Sequence, residues 1–143
     1  MKIVVIDGQG GRLGKLLVEG VRARLPQASI YAIGTNALAT AAMLKAGADF
    51  GATGENPVIR AVADADGVLG PVGIVVANAI LGEVTPAMSE AVGSCRGKKY
   101  LVPMNSCGVM VAGVAEKPLN AYVTEAVEAL AMVLECGAKP ASF

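Results

Sequence analysis

Apolar and polar positions along the chain change period several times, and each change marks an element. Lys2 to Ile6 is a short β-branched run that predicts a strand buried on both faces, as parallel strands are, and it ends at Asp7. From Leu13 the period becomes helical. Leu13, Leu16, Leu17, Val21 and Leu25 share one face, Lys15, Glu19 and Arg22 lie on the other, and Pro26 ends the helix. Ser29 to Ile33 predicts a second strand, and Ala37 to Ala46 an alanine-rich helix closed by Gly47. Ala48 to Ala52 predicts a short strand, Asn56 to Ala63 a helix with Pro57 in its first turn, and Gly67 to Leu69 a fourth strand. Ile74 to Leu81 fits either a strand or a helical turn, and periodicity alone does not decide between them. Thr85 and Pro86 form an N-cap and N1 pair for a helix running to about Val92. Lys99 to Met104 follows as a fifth strand and Val109 to Val114 as a candidate sixth. Leu119, Val123, Ala126, Val127, Leu130 and Leu134 form the stripe of a final helix from Leu119 to Leu134.

Strands alternating with helices imply an α/β fold: a single Rossmann-like three-layer domain over residues 1–143, with a mostly parallel sheet of five or six strands. In such a sheet ligands sit beyond the carboxyl ends of the strands, at the point where the winding reverses. The loops expected at that edge read "DGQGGRLG", "GTN", "GATGEN", "GPVG" and "NSCG", each rich in glycine, asparagine or small polar residues. Their clustering names the candidate binding residues. These are Asp7, Gly8, Gln9, Gly10, Gly11, Arg12, Leu13 and Gly14 in the first loop, with Gly34, Thr35, Asn36, Gly54, Gly70, Pro71, Val72, Gly73, Asn105 and Cys107 in the later ones.

The first loop lies between a strand and a helix, where unpaired N–H groups and the helix dipole favour an anion. Gly8, Gly11 and Gly14 fit G-x-x-G-x-x-G, a variant of the dinucleotide fingerprint; the strict form would need glycine at Leu13. A Walker A loop is excluded, because Gln9 stands at its first glycine position and Leu16 replaces the magnesium-binding hydroxyl. On this reading Gly11→Val blocks a phosphate and harms binding more than folding; the alternative is that the glycines serve only the turn and close packing. Sites for NAD usually carry Asp or Glu after the second strand, where this chain has Gly34, Thr35 and Asn36, so NADP or a smaller phosphorylated ligand is favoured. Thr35 and Asn36 equally fit the plain role of capping the next helix, and Arg12 either reaches a phosphate or lies in solvent. Asp7 is anomalous beside a phosphate unless its carboxylate pairs with a cation or turns onto backbone N–H groups.

Composition narrows the remaining chemistry. Twelve basic and twelve acidic residues cancel, which argues against nucleic acid or an anionic membrane as partner. The longest uncharged stretch, Gly67 to Gly82, is shorter than the roughly 20 apolar residues of a membrane span. Asp7 interrupts the first apolar run before it forms a secretory segment, so a cytoplasmic setting is expected. Cys95, Cys107 and Cys136 make no Cys-x-x-Cys pair, histidine is absent, and no metal site is expected. The groups expected near the crevice are Asp7, Lys15, Glu55 and Cys107, the last either a nucleophile or a small apolar residue beside a strand. Asn105 fits a ligand donor and a turn cap equally well.

"DGQGGRLGK" resembles the cofactor loop of dihydrodipicolinate reductases, whose G-x-x-G-R-x-G pattern is matched by Gly8, Gly11, Arg12 and Gly14. That likeness covers the first unit alone; the reductase's substrate domain and histidine-rich segment have no counterpart, so its activity is not implied. Over nearly the whole chain, "IDGQGG", "GTN", "MLKAGA", "GATGEN", "GPVGI", "LGEVTPAM" and "VPMNSC" resemble a family of small bacterial Rossmann-like proteins classed as a domain of unknown function. The resemblance implies the fold and a bacterial, cytoplasmic setting, and no catalytic residues. Two functions are therefore expected in competition: a nucleotide- or dinucleotide-binding protein, as a small NADP oxidoreductase, and a non-catalytic sensor or interaction module for a phosphorylated metabolite. A purely structural oligomer is the third. In the first case so short a chain completes its pocket as a homo-oligomer, with the apolar stretch Ile74 to Leu81 suited to the interface.

Overall fold

The computed structural model describes residues 1–104 and 108–137. Five strands and five helices alternate among them: β1 (Lys2–Asp7), α1 (Arg12–Arg24), β2 (Ser29–Gly34), α2 (Ala37–Lys45), β3 (Phe50–Thr53), α3 (Glu55–Val62), β4 (Gly67–Pro71), α4 (Pro86–Ser94), β5 (Lys98–Val102) and α5 (Leu119–Cys136). Of the segment Ile74 to Leu81 that periodicity left open, the first two residues close a 3-10 turn over Val72–Val75, and none is in a strand. All strand pairs are parallel, in the order β3-β2-β1-β4-β5.

The β-branched run of β1 occupies the centre because the sheet's alternation buries it twice. Ile3 and Val5 point into a core shared with Leu17, Val18 and Val21 of α1, Met43 of α2 and Leu130 of α5. Val4 and Ile6 point the other way, against Val58 and Val62 of α3 and Met88 and Val92 of α4. Helices α1, α2 and α5 thus cover one face and α3 and α4 the other, giving a single three-layer α/β domain. After β1 the chain leaves toward one face, and after the adjacent β4 it leaves toward the other. The winding reverses between them, so the crevice opens at the carboxyl ends of these two strands.

The sixth strand expected over Val109 to Val114 is not there; residues 108–118 form no strand until α5 begins. Strand propensity needs a register partner, and this segment has none. Gly108 and Gly113 take left-handed φ of 71° and 81°, and Met110 stands 88% exposed.

A second expectation changes at Gly11, the residue before α1. Its φ is +73°, and a Cβ there would sit 2.8 Å from the Ala39 Cα and 3.0 Å from the Ala39 carbonyl oxygen. Gly11 therefore admits the start of α1 against the backbone of α2, and the added side chain meets protein rather than ligand. Gly11→Val should cost about 3 kcal/mol, combining left-handed strain with overpacking. Thermal denaturation should show a fall of roughly 10 °C; a wild-type melting temperature would refute this packing role.

Candidate functional site

The crevice holds a cavity of about 230 Å³, lined by the first loop from Asp7 to Leu13, by Pro71 and Gly73 after β4, and by Ile80, Met104 and Leu119. Its floor is set by Asp7, 6% exposed, whose carboxylate is turned onto the loop's own backbone. The Gly8 N–H donates to Asp7 Oδ1 at 2.8 Å, and the Gly14 N–H to Oδ2 at 2.6 Å. Gly14 is the third residue of α1, so Asp7 caps that helix from seven residues upstream, while Gly11 at the N-cap position supplies no side chain. The carboxylate is thus turned onto backbone N–H groups, the arrangement that an acid beside a phosphate would need. Burial pushes the Asp7 pKa up, the two N–H bonds pull it back, the Glu83 charge adds to the rise, and the result lies above the usual value.

With the Gly14 N–H consumed by Asp7 and the Gly11 N–H by the Gly8 carbonyl at 3.0 Å, the N–H groups of Gly10, Arg12 and Leu13 have no acceptor among the described residues. All three residues line the cavity. Arg12 is exposed at its rim. Gly14 is fixed by packing, since a Cβ there would lie 2.5 Å from Met43 Sδ and 2.7 Å from Asp7 Cβ.

The residue that sequence reasoning missed is Glu83. It comes from the loop between the 3-10 turn and α4, which closes on itself through Asn78 N–H to the Val84 carbonyl at 2.8 Å and Val84 N–H to the Ala79 carbonyl at 3.2 Å. This loop folds back over the first one. Glu83 Oε2 accepts the Gln9 N–H at 2.9 Å, the Thr35 hydroxyl, and the Asn36 amide at 3.2 Å. Asn36 also donates to the Gln9 carbonyl at 2.9 Å and accepts the Ala39 N–H at 2.9 Å, so it caps α2 and braces the first loop together. Gly8 leaves room for this junction: a Cβ there would lie 2.5 Å from Glu83 Oε2 and 2.6 Å from Thr35 Oγ1. No local motif announces Glu83, because its partners are 47 to 74 residues away in sequence.

The other expected residues divide clearly. Gly34, Thr35 and Asn36 adjoin the first loop without lining the cavity. Gly70 is a packing glycine, 2.5 Å from the Ile6 carbonyl oxygen at its would-be Cβ, and Val72 is absent from the lining. Gly54 starts α3 with φ 107° and donates to the Gly34 carbonyl at 2.9 Å, away from the cavity. Lys15 lies along α1 beside Glu19 at 3.9 Å, and Glu55 accepts the Thr85 hydroxyl at 2.5 Å. Asn105 and Cys107 lie outside the described residues. No cluster of His, Cys, Asp or Glu suited to a metal occurs among the described residues. No described helix is long and apolar enough to cross a membrane.

The family model described as "Domain of unknown function (DUF3842)" matches residues 2–135. The chain belongs to this family. Among solved structures it is similar to a dodecameric FMN-dependent UbiX-like decarboxylase from Escherichia coli O157:H7. The identity is 17% and the TM-score 0.50, with 100% of this chain and 98% of the other covered, a likeness that shows the fold alone. No curated protein matches the DUF3842 chain.

Glu83 makes the junction sensitive to acid. Burial raises its pKa, but the bonds from Thr35, Gln9 and Asn36 outweigh that and hold it below the ordinary 4.5. Its contribution to stability is therefore complete above the unfolded value and disappears as pH falls through the lower folded one. Asp7 has the opposite sign: its raised pKa makes folding less favourable as pH climbs from 3.8 through the folded value. Glu83→Ala should cost about 1 kcal/mol by removing the charged acceptor of three partly exposed hydrogen bonds. It should also remove the acid-sensitive leg contributed by Glu83 and speed hydrogen exchange at the Gln9 amide; unchanged exchange would mean that the junction does not hold the loop.

Proposed function

We propose that the chain binds the phosphate of a nucleotide or of a flavin mononucleotide on the loop between β1 and α1. The observation that carries this reading is the set of N–H groups on Gly10, Arg12 and Leu13, which lack acceptors among the described residues and belong to residues that line the cavity, while Asp7 is turned onto Gly8 and Gly14. Oriented backbone donors at a helix start favour a phosphate, and the Arg12 guanidinium adds charge at the rim. At about 230 Å³ the cavity takes a phosphate and the part of the ligand next to it, with the remainder lying across the open strand edge.

The FMN dependence of the solved structure with the same fold favours a flavin as the second ligand class. The NADP preference rested on a missing carboxylate after β2, a premise that changes once Glu83 is counted at that place. Turnover is a separate matter: Asp7 is the one carboxylate lining the cavity among the described residues, and both of its oxygens hold backbone N–H groups. Binding is thus the better supported activity, and a cytoplasmic sensor fits it as well as a small oxidoreductase. Self-association belongs to the same reading, since Leu81 at the loop tip is 97% exposed and Met110 is 88% exposed.

Calorimetric titration with AMP, FMN, NADH, NADPH and inorganic phosphate tests the reading. At least one organic phosphate should bind, and Arg12→Ala should weaken it by about tenfold. Arg24→Ala, which removes a cation paired with Glu128 and Glu135, should leave that affinity unchanged. Absence of heat from every probe would reject the proposal.

A further inference from the structure

We propose that Glu83 selects the sugar of the bound nucleotide: it accepts the ribose hydroxyls of a ligand whose phosphate lies on the first loop, and it rejects a ligand phosphorylated at the ribose 2′ position. The inference rests on the phosphate reading above and adds the class of ligand.

In open α/β sheets, an acid at the end of the second strand accepts the ribose hydroxyls, because the sugar lies beside the phosphate along the strand edge. Residues 34–36 supply none, but the fold brings one from a different loop. Thr35 directly follows β2, its N–H bonds the Asp7 carbonyl at 2.9 Å, and its hydroxyl donates to Glu83. The same Glu83 oxygen takes the Gln9 N–H, one residue before the unpaired N–H of Gly10. The carboxylate therefore sits at the joined ends of β1 and β2, just outside the cavity lining and bonded to Gln9, which is part of it.

The division of labour between its oxygens makes it selective. Oε2 accepts from Gln9, Thr35 and Asn36, which fixes the carboxylate in place, whereas Oε1 makes no hydrogen bond among the described residues. A ribose hydroxyl has a proton to give to Oε1; a phosphate has none to give at neutral pH. Thr35 and Asn36, the side chains that a 2′-phosphate would need, already donate to Glu83. A second anion brought there meets a fixed like charge and spent donors, the arrangement by which an interface excludes a wrong partner.

Calorimetry with 5′-AMP, its 2′-deoxy analogue and adenosine 2′,5′-bisphosphate tests the proposal on the wild-type chain and on Glu83→Gln. The wild type should bind AMP about tenfold more tightly than the deoxy analogue, and about a hundredfold more tightly than the bisphosphate. Glu83→Gln should bring the bisphosphate to within severalfold of AMP. Equal wild-type affinities overturn the proposal without any variant, so it survives a failure of Glu83→Gln to fold. Tighter binding of all three ligands by Glu83→Gln also overturns it, because the carboxylate would then merely obstruct the site. If FMN or inorganic phosphate binds and no adenosine ligand does, sugar selection falls while the phosphate reading stands. If no probe binds, both fall.

Discussion

The strand edge depends on the two hydrogen bonds that Asp7 makes to its own loop. A buried carboxylate without partners is costly, and this one is held by the N–H groups of Gly8 and Gly14. Those bonds determine how α1 begins and which donors remain. Asp7 satisfies the third N–H of the helix, and the N–H groups of Gly10, Arg12 and Leu13, residues that line the crevice, keep no acceptor among the described residues. The acid that is anomalous beside a phosphate in the sequence thus spends its charge on the loop's own backbone and leaves other N–H groups of that loop without acceptors.

A second constraint lies above the first. The loop carrying Glu83 places Asn78, Ile80 and Leu81 at φ of 62°, 56° and 55°. Asparagine tolerates that region, but β-branched Ile80 pays about 1–2 kcal/mol for it. Ile80 offsets the strain by packing against the core of the α3 and α4 face, and the Glu83 junction holds the loop against Gln9, Thr35 and Asn36. One strained loop therefore supplies an apolar wall to the cavity through Ile80 and a carboxylate that ties the first loop to the residues after β2.

The sequence made the layers legible because β1 is apolar on both faces and α1 shows a clean helical stripe. It also pointed to the loop after β1, which lines the cavity, although Gly8, Gly11 and Gly14 in it each leave room for neighbouring protein atoms. What it concealed was arrangement across distance. Gly11 lines the cavity, yet the room that its missing side chain leaves is taken by the backbone of Ala39. Val109 to Val114 read as a candidate strand, yet pairing is a property of the sheet and this segment pairs with no strand among the described residues. The absence of an acid after β2 was true of the letters and misleading about the space, because Glu83 arrives there from 47 residues beyond Asn36.

Backbone amide resonances give the most direct measurement of the central claim. During titration of the nitrogen-15-labelled chain with the tightest phosphorylated ligand, the amides of Gly10, Arg12 and Leu13 should show the largest downfield proton shifts. Those of Gly8 and Gly14, already bonded to Asp7, should move far less. Saturable binding with the largest shifts elsewhere, or with Gly10, Arg12 and Leu13 unmoved, would contradict a phosphate on this loop.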